Sequence, residues 1–153
     1  MRRFSVIALL AASLIAGTAL AADPVVGTWT LDVAKSKFSP GPAPKSSTRV
    51  YSESADGVSL DAKSVGADGK ETSMHTTYSA DGKSHPATGH PDADSVVAKS
   101  VNPRTWDFTL SKDGKPVGTV HRVLSADGKT LTVHNKGTHN GAPYDDTLIF
   151  TRK

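Results

Sequence analysis

From residue 22 onward, apolar and polar residues alternate in short runs. Trp106, Phe108 and Leu110 alternate with Thr105, Asp107 and Thr109, and Val58, Leu60 and Ala62 alternate with Ser59, Asp61 and Lys63. Leu131 and Val133 do the same with Thr130, Thr132 and His134. A period of two puts one set of side chains on each face of a sheet. The runs are punctuated by Asp-Gly at 56–57, 68–69, 81–82, 113–114 and 127–128, and by Asn140-Gly141. Asp and Asn tolerate positive φ and Gly adopts it freely, so each pair marks a hairpin tip or a G1 bulge. Ala-Asp-Gly-Lys itself recurs at 67–70, 80–83 and 126–129. It lacks the acidic spacing and distal Glu of a calcium loop.

Between these tips the pattern predicts ten strands, at about 25–31, 46–54, 58–65, 70–78, 83–87, 94–101, 104–111, 116–124, 130–136 and 145–152. Strands this short and this evenly spaced belong to a sandwich or a barrel. Nine prolines interrupt most helical periods, and only residues 33–38 offer a single helical turn. The prediction is an all-β fold, a ten-stranded antiparallel up-and-down β-barrel, because closure removes exposed sheet edges. Two connections exceed hairpin length. Ser39–Pro44 is Pro-rich and extended, and His85–Asp94 carries two prolines and two histidines.

The first residues follow a different pattern. Met1-Arg2-Arg3 is basic, residues 4–20 are mostly apolar, and Ala19-Leu20-Ala21 supplies the small-x-small site of a signal peptidase. Residues 1–21 are therefore expected to be a signal peptide, and 22–153 a single domain exported to the periplasm or secreted. No later apolar run is long enough for an integral membrane segment. Loss of Arg2 and Arg3 leaves 16 basic against 15 acidic residues. That balance gives no electrostatic footprint for nucleic acid. The absence of cysteine excludes disulfides, thiolate metal sites, a cysteine nucleophile and a lipid-anchored N-terminus.

Composition sharpens the functional reading. Val, Ile, Leu and Phe make up only 23 of the 132 residues from Ala22 onward. With Met, Trp and Tyr the large apolar and aromatic residues number 29, few to fill ten strands' worth of barrel. The interior is expected to leave room for a small, largely apolar molecule. The candidate lining is Leu60, Met74, Tyr78, Val97, Trp106, Phe108, Val123, Val133, Leu148 and Phe150. The alternative reading makes each of these packed core. The domain is then an envelope interaction or structural module with a filled centre, whose protein partner the sequence does not name.

Gly27-Thr28-Trp29-Thr30-Leu31, followed by Ser36-Lys37-Phe38, resembles the opening of lipocalin-like and fatty-acid-binding-protein-like (calycin) domains. The ten strands, the domain length and the ending Phe150-Thr151-Arg152-Lys153 resemble the fatty-acid-binding branch, and the whole is similar to small secreted bacterial proteins of lipocalin-like type. The resemblance implies that Trp29 lies on the first strand and plugs one barrel end. Two features depart from that branch. A Pro-rich segment stands where its two-helix lid would be. The Arg-x-Tyr pair that binds carboxylate on its last strand is missing from Thr147–Lys153. Arg122 can substitute only if it faces inward.

Little else suggests chemistry. His85, His90, Asp92 and Asp94 are ligand types for zinc, but His-x₄-His matches no standard site and the better reading is a solvated loop, so no metal is expected. His139, before the last strand, is the candidate for a haem-binding alternative implied by the resemblance. Alternation places His134 outside and puts His121 on the face of Val117, Thr119 and Val123. No G-x-S-x-G elbow occurs, and Asp145 and Asp146, as strand neighbours, point to opposite faces. The expectation is a non-enzyme without a cofactor.

Overall fold

A computed structural model describes residues 22–153, so the leader reading for residues 1–21 lies outside the described residues. Ten strands follow in order: β1 (Gly27–Leu31), β2 (Ser46–Ser54), β3 (Gly57–Val65), β4 (Glu71–Tyr78), β5 (Ser84–Thr88), β6 (Ser95–Asn102), β7 (Thr105–Lys112), β8 (Lys115–Leu124), β9 (Thr130–His139) and β10 (Ala142–Arg152). Each pairs antiparallel with its chain neighbours, and β1 closes the ring between β2 and β10. Among the described residues the one helical feature is a 3₁₀ turn at Val33–Lys35, capped by the Asp32 carboxylate.

The hairpin tips act as their chemistry demands. Asp113-Gly114 and Asn140-Gly141 hold positive φ at both residues, the geometry of a two-residue hairpin turn. At Asp68-Gly69, Asp81-Gly82 and Asp127-Gly128 only the Gly is positive, which makes longer turns. The tight Asn140-Gly141 turn lets β9 and β10 run further than their apolar patterns predicted, pairing from Ala142↔His139 to Thr151↔Thr130.

Antiparallel closure gives the barrel two unlike ends. One holds the start of β1 and the turns 55–56, 79–83 and 125–129; the other holds the 32–45 crossing, the 66–70 turn and the 89–94 loop. The first end is sealed. Trp29 is fully buried there, its indole Nε1 donating to Val25 O at 2.8 Å. Arg152 stacks 4.3 Å above the Trp29 ring and donates to three carbonyls, of Pro24, Val26 and Gly128. Gly27 admits this arrangement because a Cβ there would sit 2.5 Å from Arg152 Nη1, at a φ of +140° that L side chains avoid.

Most inward positions follow the alternation, and two do not. Val97 lies between buried Val96 and Ala98, and Val123 between buried Arg122 and Leu124. Both valines therefore point to the outer wall, where their register partners include Thr109 and Ser84 for Val97 and Thr105 and Thr132 for Val123. In β6 three consecutive apolar residues hide the frame. In β8 an arginine takes the inward place that the hydrophobic rule gave to valine.

Candidate ligand-binding site

Strands β2, β3, β4, β7 and β8 direct Arg49, Tyr51, Leu60, Met74, Tyr78, Phe108 and Arg122 toward a chamber of about 90 Å³ inside the barrel. His90 of the 89–94 loop, Asn135 of β9 and Tyr144 of β10 also line it, with Thr76, Ala87, Val96, Leu110 and Val120. Arg49 also lines a second hollow, a cleft of about 300 Å³ at the end opposite Trp29. Its other walls include Leu31, Phe38, Pro42, Pro44, Asp146 and Leu148. The Pro-rich crossing thus borders the mouth. Arg49 stands between mouth and chamber.

The chamber is more polar than the sequence suggested. Arg122 is 3% exposed and donates from Nη1 to the Tyr78 hydroxyl. Its guanidinium lies 5.2–5.6 Å from the rings of Tyr51, Tyr78, Trp106 and Phe108. The rings of Tyr78, Trp106 and Phe108 pack edge to face or stacked on one another. Arg49 sits 4.6 Å over Phe150 and reaches the Tyr51 hydroxyl at 3.5 Å. Among the described residues neither arginine has a carboxylate partner, and the Nε donors of both, with Asn135 Oδ1, are buried without a hydrogen-bond partner. Aromatic faces attract a guanidinium by roughly 0.5–2 kcal/mol each. They do not neutralise it.

Protonation states follow from burial. For Arg122, desolvation works against the charge, while the Tyr78 and Tyr51 oxygens, the Tyr78 hydrogen bond and the more distant Asp23 carboxylate favour it, and the balance lies above its ordinary value. Burial pushes the Tyr78 phenol well above its ordinary range despite the pull of Arg122, so it stays neutral. Burial likewise lowers His90, with Asp92 opposing and Arg49 assisting. The Asp92 backbone N–H donates to His90 Nδ1 at 3.1 Å, which puts the proton of the neutral ring on Nε2.

Tyr144 reaches the chamber over a gap in the wall. It pairs in register with Gly137, which faces Gly118 on β8. A Cβ at Gly137 would lie 2.9 Å from the Tyr144 hydroxyl and 2.7 Å from the Val117 carbonyl. Two facing glycines make the shelf on which the tyrosine rests.

The ten residues singled out from sequence divide into four groups. Leu60, Met74, Tyr78 and Phe108 line the chamber, and Leu148 lines the cleft. Trp106, Val133 and Phe150 are buried in the packed core. Val97 and Val123 lie on the outer wall, for the register reason given above. The room predicted at the centre is far smaller than expected, because arginine and tyrosine side chains fill volume that a count of aliphatic residues leaves empty. Arg49, Tyr51, His90, Asn135 and Tyr144 were not foreseen. Arg122 was raised only as a conditional substitute, and it does face inward.

The histidines and aspartates of the 85–94 segment do not converge. His85 engages Asp81 at 3.0 Å, and that contact with the Lys83 amide holds the Asp81 carboxyl down at about 2. Asp92 pairs with His139 at 2.8 Å, and Asp94 accepts from the Asp113 amide and Ser95. His139, the haem candidate, is accordingly an exposed partner of Asp92 and not a chamber residue.

No family model and no curated protein matches the chain. Among solved structures, a similar one is the siderocalin Ex-FABP, described as functioning through dual ligand specificities. It shares 11% identity and a TM-score of 0.41, over 85% of this chain and 74% of that one. The closed ring of ten antiparallel strands with a tryptophan at one end decides the architecture. It is a closed ten-stranded antiparallel β-barrel.

Proposed function

We propose that this barrel is a non-enzymatic binder of a small amphipathic acid. The acidic group sits at Arg122 in the chamber, and the apolar body extends past Arg49 into the cleft of Phe38, Pro42, Pro44 and Leu148. The observation that carries this reading is Arg122 itself, a buried guanidinium that no carboxylate contacts directly among the described residues, Asp23 acting on it only from farther off. Holding a charge in low dielectric without a counter-ion is costly, and a bound anion offsets that cost. The largely apolar ligand expected from the sequence becomes an acid with an apolar tail. We further propose that the domain acts in the periplasm or outside the cell, on the support of the leader pattern in residues 1–21.

The chamber and cleft together reach only the low end of ligand-pocket volumes. A chamber of 90 Å³ alone favours the second reading, a module with a filled centre. Thermal shift and calorimetry with octanoate, decanoate and decanol separate the two. The expected result is a raised melting temperature with the acids, none with the alcohol, and at least about tenfold weaker binding in Arg122→Met. If no acid binds the wild-type protein at millimolar concentration, the amphipathic-acid reading fails and the filled module stands.

A further inference from the structure

The outer wall carries a second arrangement that the interior site does not use. His121 on β8 and His134 on β9 are direct cross-strand partners, with ring centroids 6.5 Å apart and planes tilted by 37°. Each ring is held from its far side. His121 Nδ1 lies 2.6 Å from Asp107 Oδ1 on β7, and His134 Nδ1 lies 3.0 Å from Thr147 Oγ1 on β10. Asp107, His121, His134 and Thr147 therefore form one row across four strands.

The proton positions follow. An ionised carboxylate only accepts, so His121 Nδ1 carries the hydrogen and Nε2 of the neutral ring carries the lone pair. Thr147 can accept from His134 Nδ1 in the same way, which leaves that Nε2 basic too. With both Nδ1 atoms engaged by the flanking strands, Nε2 is the ring nitrogen each histidine has left to offer. Among the described residues neither Nε2 has a hydrogen-bond partner.

We propose that His121 and His134 bind a divalent transition ion of the Cu²⁺ or Zn²⁺ kind through their two Nε2 atoms. Metal–nitrogen bonds of about 2.0–2.1 Å at a cis or tetrahedral angle set two bridged ring centroids roughly 4.5–5 Å apart, so the two rings must close by about 1–2 Å through side-chain rotation. Asp107 acts as the orienting carboxylate that fixes the tautomer and raises ligand basicity. Among the described residues no group of three His, Cys, Asp or Glu could hold an ion. The site is thus two-nitrogen, with water in the remaining positions, which suits an exchangeable ion and not a structural one. Imidazole pairs favour Cu²⁺ over the earlier divalent ions.

The test is titration of tag-free, chelator-stripped protein with Cu²⁺ and, separately, Zn²⁺, followed by calorimetry and by electron paramagnetic resonance of the copper form. The expected result is one ion per chain, two-nitrogen hyperfine structure, and affinity lowered by tenfold or more in His121→Gln and in His134→Gln. Asp107→Asn should lower it about tenfold, within the range for an orienting partner. His75→Gln, which removes a histidine paired with Asp61 but lacking a second ring opposite, should bind as the wild type does. Melting temperatures without metal confirm that the variants fold. Absence of binding, or binding that survives both His121→Gln and His134→Gln, overturns the proposal.

Discussion

Arg122 on β8 donates to the hydroxyl of Tyr78 on β4, 44 residues away in the chain and on a strand it does not pair with. The bond ties two walls of the barrel through its interior. It also sets the chemistry there: a neutral phenol, a permanent cation, and ring faces on four sides of the charge. A buried charge of this kind is costly to stability, so mutation should separate what the pair does for folding from what it would do for the proposed acid.

In Arg122→Met the buried charge is gone, but the Tyr78 hydroxyl loses its partner. Replacing even a buried ion pair by apolar side chains of similar volume is often neutral or stabilising by about 1–4 kcal/mol, so removing this charge should not cost stability, whereas an orphaned hydroxyl costs about 1–3 kcal/mol. Adding Tyr78→Phe removes the orphan. The double variant should therefore be at least as stable as the wild type and more stable than Arg122→Met alone, measured by urea unfolding, while neither variant binds decanoate. A double variant several kcal/mol less stable than the wild type would mean that the pair is a structural strut.

Tyr78 also predicts the alkaline behaviour. Its folded value lies above the ordinary phenol value of 10.0, because burial disfavours the phenolate. The unfolded phenol ionises first, so its contribution to stability is complete below pH 10 and is lost as the pH rises through the folded value. Ultraviolet titration should leave Tyr78 un-ionised until the chain unfolds. Tyr78→Phe should blunt the loss of stability above pH 10. A full three-tyrosine titration of still-folded protein near pH 10 would contradict this.

The strands and their tips were legible because both signals are local. Period-two alternation in Thr105–Leu110 or Thr130–Val133 needs no knowledge of the rest of the chain, and neither does Asn140-Gly141. Trp29 as a plug was legible only through the family resemblance that the Gly27–Leu31 segment carries. The chamber was not. Arginine is mostly exposed, so a local rule turns Arg122 outward and Val123 inward. What reverses the two is a cage assembled from Tyr51, Tyr78, Trp106 and Phe108, on three other strands. Ring closure brings those residues together, and no stretch of sequence contains them. The cavity size was misjudged for the same reason: interior volume filled by arginine does not register as hydrophobic content.

His90 gives the acid limb. Burial lowers its folded value below 6.5, with Arg49 acting in the same direction and Asp92 against it. Between the two values the unfolded chain binds more protons, so stability falls as the pH drops from 6.5 toward the folded value. Nuclear magnetic resonance titration of the imidazole should place its midpoint under 6.5. His90→Gln should flatten that part of the melting-temperature profile. A midpoint at or above 6.5 would show the ring to be solvated and outside the chamber wall.

The sealed end should dominate stability, because a domain with so few aliphatic residues depends heavily on each large side chain it buries. Trp29 is fully buried, donates to Val25 and carries Arg152 on its face. Trp29→Ala leaves a cavity and frees the residue 24–26 arm, at a cost of about 3–5 kcal/mol, or roughly 10 °C or more in melting temperature. Trp29→Phe keeps most of the ring but leaves the Val25 carbonyl without its donor, and about 1–2 kcal/mol should be lost. Arg152→Lys keeps the charge and loses the fixed fork that reaches three carbonyls, so it should fall between the two. Chemical denaturation of the three variants checks the order. If Trp29→Ala proved no less stable than Arg152→Lys, the closing weight would lie in the arginine clamp, with the indole a passenger beneath it.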